Sequence, residues 1–302
     1  QNYLKELSTL AKKKILIIDG AVGTEIQNLR LNEEDYRGKK FSKSNMSLKG
    51  NHDLLSITQP ELIKKIHNSY CSSGADIIET NTFSSTSIAQ LDYGLEKMAY
   101  ELNQASAQIA KEVAVEYYKE TNRRVYVAGA IGPTNKTASM SPDVEDPSYR
   151  AVTFDSLVES YSDAVNGLID GGADILLLET IFDTLNAKAA LYAIQSVFIK
   201  LNIKLPIMIS GTITDLSGRT LSGQTTEAFW HSIKHVNPFS VGLNCALGAR
   251  EMQQHISDLS RVAETFISAY PNAGLPNEFG EYDESPCHTA SMLKEFALEG
   301  LV

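Results

Sequence analysis

The fold is indicated most clearly by the stretch Gly172-Ala-Asp-Ile-Leu-Leu-Leu-Glu-Thr180, in which an uninterrupted aliphatic run ends in a polar pair. Such a run is typical of a parallel strand that is buried on both faces, because no position is left for a solvent-facing side chain. The same order of residues occurs earlier, as Gly74-Ala-Asp-Ile-Ile-Glu-Thr80. Each copy follows a helical pattern that ends at glycine, so we interpret both as one repeated helix-to-strand unit.

Strand and helix patterns alternate along the whole chain, without a change of composition that would mark a second domain. Seven strands are predicted, at residues 15–18, 75–83, 125–131, 173–180, 206–210, 239–248 and 266–269. Residues 32–58 show no clear periodicity and are expected to lack regular elements. Evenly repeated units over about 300 residues favour a (β/α)8 TIM barrel over an open sheet. Because seven strands would leave two barrel edges unpaired, Leu301-Val302 is expected to begin strand eight, and residues 1–302 to be one barrel domain that is truncated there.

The composition argues against several classes of function. The chain of 302 residues has 27 basic and 37 acidic side chains, a net charge of −10, and no basic cluster beyond Lys12–Lys14. A nucleic-acid partner is not expected, because phosphate binding needs concentrated positive charge. No apolar run approaches the roughly 20 residues that span a bilayer, so no membrane segment is expected. Three widely separated cysteines are not a disulfide framework, which indicates a reducing, cytoplasmic setting.

In a barrel, functional side chains gather at the carboxyl ends of the strands. Two carboxylates are prominent there, since Asp19 and Glu179 each directly follow an aliphatic run. The turn Gly20-Ala21-Val22 allows close backbone approach, so its N–H groups can converge on an anion such as a carboxylate. The two carboxylates could serve as acid and base of a glycosidase, or hold the ammonium group of an amino-acid substrate. Further polar residues at predicted strand ends are Glu79, Asn81, Thr134, Asn135, Thr212, Thr214 and Asn272.

A thiol reaches the same predicted rim. The apolar run Phe239–Leu243 leads to Asn244 and Cys245, and the strand pattern ends at Ala246–Gly248. From its position alone, this cysteine is either a small core residue or a residue that carries chemistry. The other candidates are weaker: Cys71 is expected to pack in the core, Cys287-His288 to lie in a polar loop, and His231 with His235 to form a surface pair.

Eight stretches together resemble a known family. They are Asp19–Glu25, Asn51–Leu55, Ala75–Phe83, Gly132–Ala138, Leu178–Thr184, Ser222–Glu227, Gly242–Gly248 and Pro271–Pro276. In this set the chain resembles the homocysteine-binding domain at the N-terminus of cobalamin-dependent methionine synthase, a member of the homocysteine S-methyltransferase family. The resemblance covers nearly the whole chain. The Gly132–Ala138 and Ser222–Glu227 stretches are more particular to the cobalamin-dependent enzyme, whereas other members share the Asn-Cys pair.

The resemblance implies a zinc site and a homocysteine pocket. In the family three cysteine thiolates hold Zn²⁺, and Cys245 matches the first of them. The other two ligands are expected beyond Val302. The residues that match the lining of the L-homocysteine pocket, or stand beside it, are Asp19, Gly20, Ala21, Val22, Glu179 and Asn244.

The activity implied by the resemblance is methyl transfer. Zinc would keep the homocysteine thiol deprotonated, and this thiolate would accept a methyl group from methylcobalamin to give methionine. Folate, cobalamin and reactivation domains of the same parent polypeptide would carry methylcobalamin and recharge it from 5-methyltetrahydrofolate, so the isolated chain is expected to be inactive. Two alternatives stay open: a stand-alone homocysteine S-methyltransferase with a small sulfonium or betaine-type donor, and a metal-free barrel hydrolase or lyase.

Overall fold

The computed structural model describes residues 3–214, 217–275 and 282–302. Contacts between Cα atoms divide the chain into two compact units. Unit 1 contains residues 1–136, 155–176 and 192–205, and unit 2 contains residues 137–154, 177–191 and 206–302. The single domain over residues 1–302 stays a prediction.

Helices and parallel strands alternate, which confirms the predicted α/β class. The helices are α1 (Tyr3–Ala11), α2 (Val22–Asn28), α3 (Glu33–Arg37), α4 (Leu55–Thr58), α5 (Pro60–Ser73), α6 (Ser87–Gln90), α7 (Ala99–Thr121), α8 (Phe154–Asp170), α9 (Thr184–Leu201), α10 (Thr226–Ile233), α11 (Ala249–Val262) and α12 (Pro286–Leu298). The strands are β1 (Ile77–Glu79), β2 (Tyr126–Ile131), β3 (Ile175–Ile181), β4 (Ile207–Gly211), β5 (Ser240–Gly248) and β6 (Phe266–Asn272).

The strands follow one another in the sheet in chain order, and β1 with β2, β4 with β5 and β5 with β6 are parallel pairs. Strands added in this order with helices between them have the topology of a TIM-like fold. Leu301-Val302 is not in a strand. The eight-strand count therefore stays a prediction.

The prediction of a fully buried strand at residues 15–18 was wrong. A single isolated parallel bridge joins Ile18 to Ile77, and the side chains of Ile15 and Ile17 are 47% and 54% exposed. The carbonyl oxygen of Ile17 accepts the N–H group of Ile77 at 3.1 Å, so the segment does lie beside β1. Side chains alternate along an extended segment, so Ile15 and Ile17 share one face, and that face is open to solvent.

Residues 32–58, expected to lack regular elements, contain α3 and α4, so that prediction was also wrong. Polar contacts rather than apolar periodicity build α3. Asn32 accepts the N–H of Asp35 at 3.0 Å and Asp35 accepts the N–H of Asn32 at 2.8 Å, which closes a capping box. Glu33 pairs with Arg37 at 2.6 Å and also accepts two backbone N–H groups from the segment that follows. A search for apolar spacing does not detect such contacts.

The two Gly-Ala-Asp repeats make equivalent contacts within unit 1. Asp174, just before β3, accepts a backbone N–H of β2 at 3.0 Å and the ammonium group of Lys111 at 2.5 Å. Asp76, just before β1, accepts the N–H of Ile17 at 3.1 Å and the ammonium group of Lys14 at 2.6 Å. Each buried aspartate thus ties the start of its strand to the neighbouring segment and to a lysine that precedes that segment. We call these two sets of contacts the aspartate clamps.

Helix α5 shows how the sequence sets the element bounds. It begins at Pro60, since proline is tolerated in the first turn of a helix, and Gly74 follows its last residue. The φ of Gly74 is +112°, a value that favours glycine, so both ends agree with the prediction from the sequence. Its buried face carries Cys71, which packs with aliphatic residues of β1, α7 and β2. No helix in the described ranges is long and apolar enough to cross a membrane.

Candidate functional site

The Asp19 turn of unit 1 is anchored to the end of β1. The backbone N–H of Asp19 donates to the carbonyl oxygen of Ile77 at 2.9 Å, and the carboxylate Oδ2 of Asp19 accepts the backbone N–H of Glu79 at 2.9 Å. The chain then continues through Gly20–Val22 into α2. The predicted arrangement, a carboxylate followed by a glycine turn, is therefore present beside the carboxyl end of β1.

Tyr70, on α5, lies against this turn. A Cβ atom at Gly20 would lie 3.0 Å from Cε1 of Tyr70 and 3.1 Å from its hydroxyl oxygen, so a larger residue there would displace the ring. Burial, followed by the negative charges of Glu25, Asp19 and Glu79, raises the pKa of Tyr70 to about 12. These neighbouring carboxylates favour a cation such as an ammonium group. Sequence reasoning missed Tyr70 because its helical spacing also fits a packed core residue.

In unit 2, Glu179 is a buried carboxylate at the carboxyl end of β3, with 6% exposure. The hydroxyl of Tyr270, on β6, donates to Oε2 of Glu179 at 3.5 Å. The next residue, Thr180, has a φ of +54°, a left-handed conformation that is unfavourable for a β-branched side chain. The sequence indicated Glu179 but not Tyr270, because an aromatic residue in a strand is usually interpreted as part of the packed core.

Asn244, on β5, is fully buried and uses all the hydrogen-bonding groups of its side chain. Its Oδ1 accepts the backbone N–H of Thr180 at 3.1 Å and the hydroxyl of Ser210 at 2.7 Å. Its Nδ2 donates to the hydroxyl of Thr180 at 2.7 Å and to Sγ of Cys245 at 3.1 Å. Since a backbone N–H can only donate, Thr180 fixes the position of the amide oxygen, and the NH2 group must face the sulfur.

Cys245 lies in a bulge of β5. Asn244 and Gly248, four positions apart, pair with residues of β6 that are two positions apart. Cys245 and Ala246 have φ values of +56° and +57°. Such a conformation costs about 1–3 kcal/mol in a residue other than glycine and is concentrated at functional sites. The thiol is partly exposed, and an N–H donor at its sulfur suits the thiolate form that binds metals.

The other polar residues predicted at strand ends make contacts that hold loops in place. The side-chain donors and their acceptors are Asn81 to the carbonyl oxygen of His52, Thr134 to that of Lys136, Asn135 to the carboxylate of Asp92, Thr214 to the carbonyl oxygen of Arg219, and Asn272 to the hydroxyl of Tyr282. Thr212 donates its backbone N–H to the carbonyl oxygen of Ile181.

The remaining cysteine and histidine candidates lie apart from this chemistry. Cys71 is buried, and burial raises its pKa to about 11. Cys287 is exposed in the first turn of α12, so its predicted place in a loop was wrong, because Ser285 caps the helix and starts it earlier. His231 lies on the surface, 3.7 Å from the carboxylate of Glu227.

Cys245 suits one position of a zinc site, but the other ligands are not found among the residues described. Within residues 3–214, 217–275 and 282–302, no group of three histidine, cysteine, aspartate or glutamate side chains could hold a metal ion. Structural zinc usually has four protein ligands and catalytic zinc three. The described residues therefore do not form a zinc site by themselves.

The predicted site residues fall in both units. Asp19 and Gly20–Val22 belong to unit 1, whereas Glu179, Asn244 and Cys245 belong to unit 2. Within unit 2, Asn244 contacts Cys245 directly and also contacts the residue that follows Glu179. The binding roles of these residues stay predictions. The matching stretch at 271–276 ends at Pro276, which lies outside the described residues.

Comparison with known proteins agrees with the family that the sequence resembles. The chain is similar in structure to the homocysteine methyltransferase MmuM from Escherichia coli in its oxidized form, with a TM-score of 0.75 and 21% identity over 99% of this chain and 92% of that one. The metallated form of MmuM gives a TM-score of 0.69 and 22% identity, over 89% and 87% of the two chains. At these identities the likeness shows a shared fold. The family model described as homocysteine S-methyltransferase matches residues 16–302, and the chain therefore belongs to the homocysteine S-methyltransferase family.

Proposed function

We propose that this chain is the homocysteine- and zinc-binding module of a cobalamin-dependent methionine synthase. The observation that carries the proposal is the Cys245 thiol, held in a strained bulge of β5 and joined through Asn244 to the β3 end that bears Glu179. The Gly132–Ala138 and Ser222–Glu227 stretches support the cobalamin-dependent member of the family. Residues 1–302 would form one barrel domain of a longer cytoplasmic enzyme.

Each polar group of L-homocysteine has a proposed partner in the chain. The buried carboxylate of Glu179 would hold the ammonium group, because a desolvated carboxylate gains most from a cation. In unit 1, the resemblance assigns to the substrate Asp19, which would add negative charge, and the backbone N–H groups of Gly20–Val22, which would receive a carboxylate. The resemblance supports all of these roles, and the acidic surroundings of Tyr70 in unit 1 support that of Asp19.

The substrate sulfur must be deprotonated before it can attack a methyl group. A free thiol has a pKa of about 8.5, so a few per cent is thiolate at neutral pH. A bound zinc ion would supply the positive charge that keeps this sulfur anionic. Cys245 would contribute one thiolate ligand, and the others would come from outside the described residues. In the transfer itself, the thiolate would supply the electron pair of a new S–CH3 bond, and the pair of the broken bond would stay with the methyl donor, proposed to be methylcobalamin of another domain.

Calorimetric titration with L-homocysteine tests the substrate site. We expect Glu179→Gln to weaken binding about tenfold or more, since a charge-assisted hydrogen bond is lost. Glu227→Gln, at an exposed glutamate of α10, is the matched control and should bind as the wild type does. Equal affinities for wild type and Glu179→Gln would refute the assignment of Glu179.

The alternative is a stand-alone homocysteine S-methyltransferase. The negative surroundings of Tyr70, formed by Glu25, Asp19 and Glu79, would suit a cationic methyl donor as well as an ammonium group. Methyl transfer to homocysteine from a small sulfonium compound or betaine, measured without cobalamin, would replace our proposal by this alternative. Transfer that requires methylcobalamin would support the proposal.

A further inference from the structure

Asn244 was expected to stand beside the substrate, but its surroundings point to another role. The residue is fully buried, and its side chain makes four hydrogen bonds to the protein. A primary amide has two N–H donors and a carbonyl oxygen with two lone pairs, so these four bonds use its whole capacity. Nothing remains with which Asn244 could bind a substrate.

The four bonds hold two strained segments together. Thr180 and Cys245 have φ values of +54° and +56°, and Asn244 bonds to both of them. Thr180 is held at its backbone N–H and at its hydroxyl, and Cys245 is held at its sulfur. Strained conformations persist where the surroundings over-determine them, and this amide supplies such surroundings for both strand ends.

The direction of the amide matters for the thiol. Ser210 and the backbone of Thr180 occupy the oxygen, so the NH2 group is presented to Sγ of Cys245 and to the Thr180 hydroxyl. A donor in a fixed position limits where the sulfur can point, so the amide orients the thiol.

We infer that Asn244 is a positioning residue, which orients the sulfur of Cys245 and locks the β5 bulge to the end of β3, and that it makes no contact with substrate. The inference rests on the proposed function in one respect, the role of the Cys245 thiol as a zinc ligand. If Cys245→Ala left methyl transfer unchanged, the proposed use of the thiol would fail, while the control of its sulfur by Asn244 could still be measured.

The test measures the rate at which iodoacetamide alkylates Cys245 in the full chain at a fixed pH, followed by mass spectrometry of the modified peptide. Cys287→Ser serves as the background because Cys287 is exposed, whereas Cys71 is buried. Asn244→Asp keeps acceptors for Thr180 and Ser210 but loses the donor to sulfur. We expect it to change the alkylation rate of Cys245 about tenfold, the typical effect of losing one hydrogen bond, because the sulfur is no longer held in one position.

A conservative pair at position 180 keeps the test informative if Asn244→Asp fails to fold. Thr180→Val removes the hydroxyl that receives one N–H of the amide and should change the alkylation rate. Thr180→Ser restores the hydroxyl and should restore the wild-type rate, which a general loss of packing would not do. Asn103→Ala is the matched control, because this buried amide of α7 donates to two backbone carbonyl oxygens and should leave Cys245 unaffected.

Two results would overturn the inference. One is a wild-type alkylation rate in Asn244→Asp, and weaker binding of L-homocysteine by the same variant would then make Asn244 a substrate contact. The other is equal alkylation rates in Thr180→Val and Thr180→Ser, which would show that the amide does not govern the sulfur.

Discussion

Replacing Asp53 with asparagine should change how the free energy of unfolding depends on pH. Asp53 is 5% exposed, and its Oδ2 accepts the backbone N–H of Ser84 and the hydroxyl of Ser85, both at 2.7 Å. No basic side chain forms an ion pair with it among the residues that the structure describes. Burial raises the pKa of Asp53 to about 6, from an ordinary value of 3.8, because the charged form loses its hydration.

The pKa of His67, on α5, is shifted in the opposite direction. It is fully buried, and neither ring nitrogen has a hydrogen-bond partner in the described part of the structure. Burial lowers the pKa of His67 to about 4, from 6.5, because protonation would place a charge in the core.

The two shifts act on stability with opposite signs. The stabilising contribution of Asp53 is fully present below pH 3.8 and is lost as the pH rises through about 6. That of His67 is fully present above pH 6.5 and is lost as the pH falls through about 4. At about 1.4 kcal/mol for each pKa unit, each contribution amounts to about 3 kcal/mol. In the wild type they should nearly cancel between pH 4 and 6.5.

Urea unfolding at several pH values between 4 and 7 measures the effect. Relative to the wild type, the unfolding free energy of Asp53→Asn should rise by about 3 kcal/mol from pH 4 to 6.5, since the His67 contribution is no longer opposed. In His67→Leu it should fall by a similar amount over the same range. Asp258→Asn, at a half-exposed residue, is the control and should follow the wild type. Parallel curves for wild type and Asp53→Asn would refute the reasoning.

Three further changes test contacts within each unit. Gly20→Ala should lower the free energy of unfolding by about 1 kcal/mol, because its Cβ would lie 3.0 Å from Cε1 of Tyr70 and the ring must shift by a few tenths of an ångström, and Tyr70→Leu should recover part of this in thermal unfolding. Asp174→Asn should lower the free energy of unfolding by about 1–3 kcal/mol in urea, since it opens a clamp whose lysine is partly exposed; an unchanged midpoint would contradict this. Gly242→Ala should prevent folding, judged by soluble yield and circular dichroism, because its Cβ would lie 1.9 Å from a carbonyl oxygen of β6.

Much of the fold could be predicted because burial and glycine leave strong patterns in the sequence. The aliphatic runs at β2 and β3, and the proline and glycine that bound α5, gave elements within a few residues of those observed. The failures have physical causes. The segment at 15–18 reads as buried but has a neighbour on one side among the described residues, and α3 is stabilised by polar contacts that have no apolar period.

The candidate site was predicted less completely. The positions of Glu179 and Cys245 near the carboxyl ends of their strands followed from the aliphatic runs that precede them. The bulge at Cys245 could not be predicted, because positive φ values at cysteine and alanine contradict local preference and depend on contacts with other strands. The full set of hydrogen bonds at the Asn244 side chain likewise depends on Thr180 and Ser210, which are distant in sequence.

The aspartate clamps also bear on the order in which the chain can assemble. Asp76 bonds to residues that lie 62 and 59 positions earlier, and Asp174 to residues 63 and 47 positions earlier. During synthesis, a clamp can close once the aspartate just before the later strand has left the ribosome, so the earlier segment is fixed in place when the next strand begins to emerge. Nascent chains would therefore gain protection against proteolysis in steps, the first after Asp76 emerges and the second after Asp174 emerges.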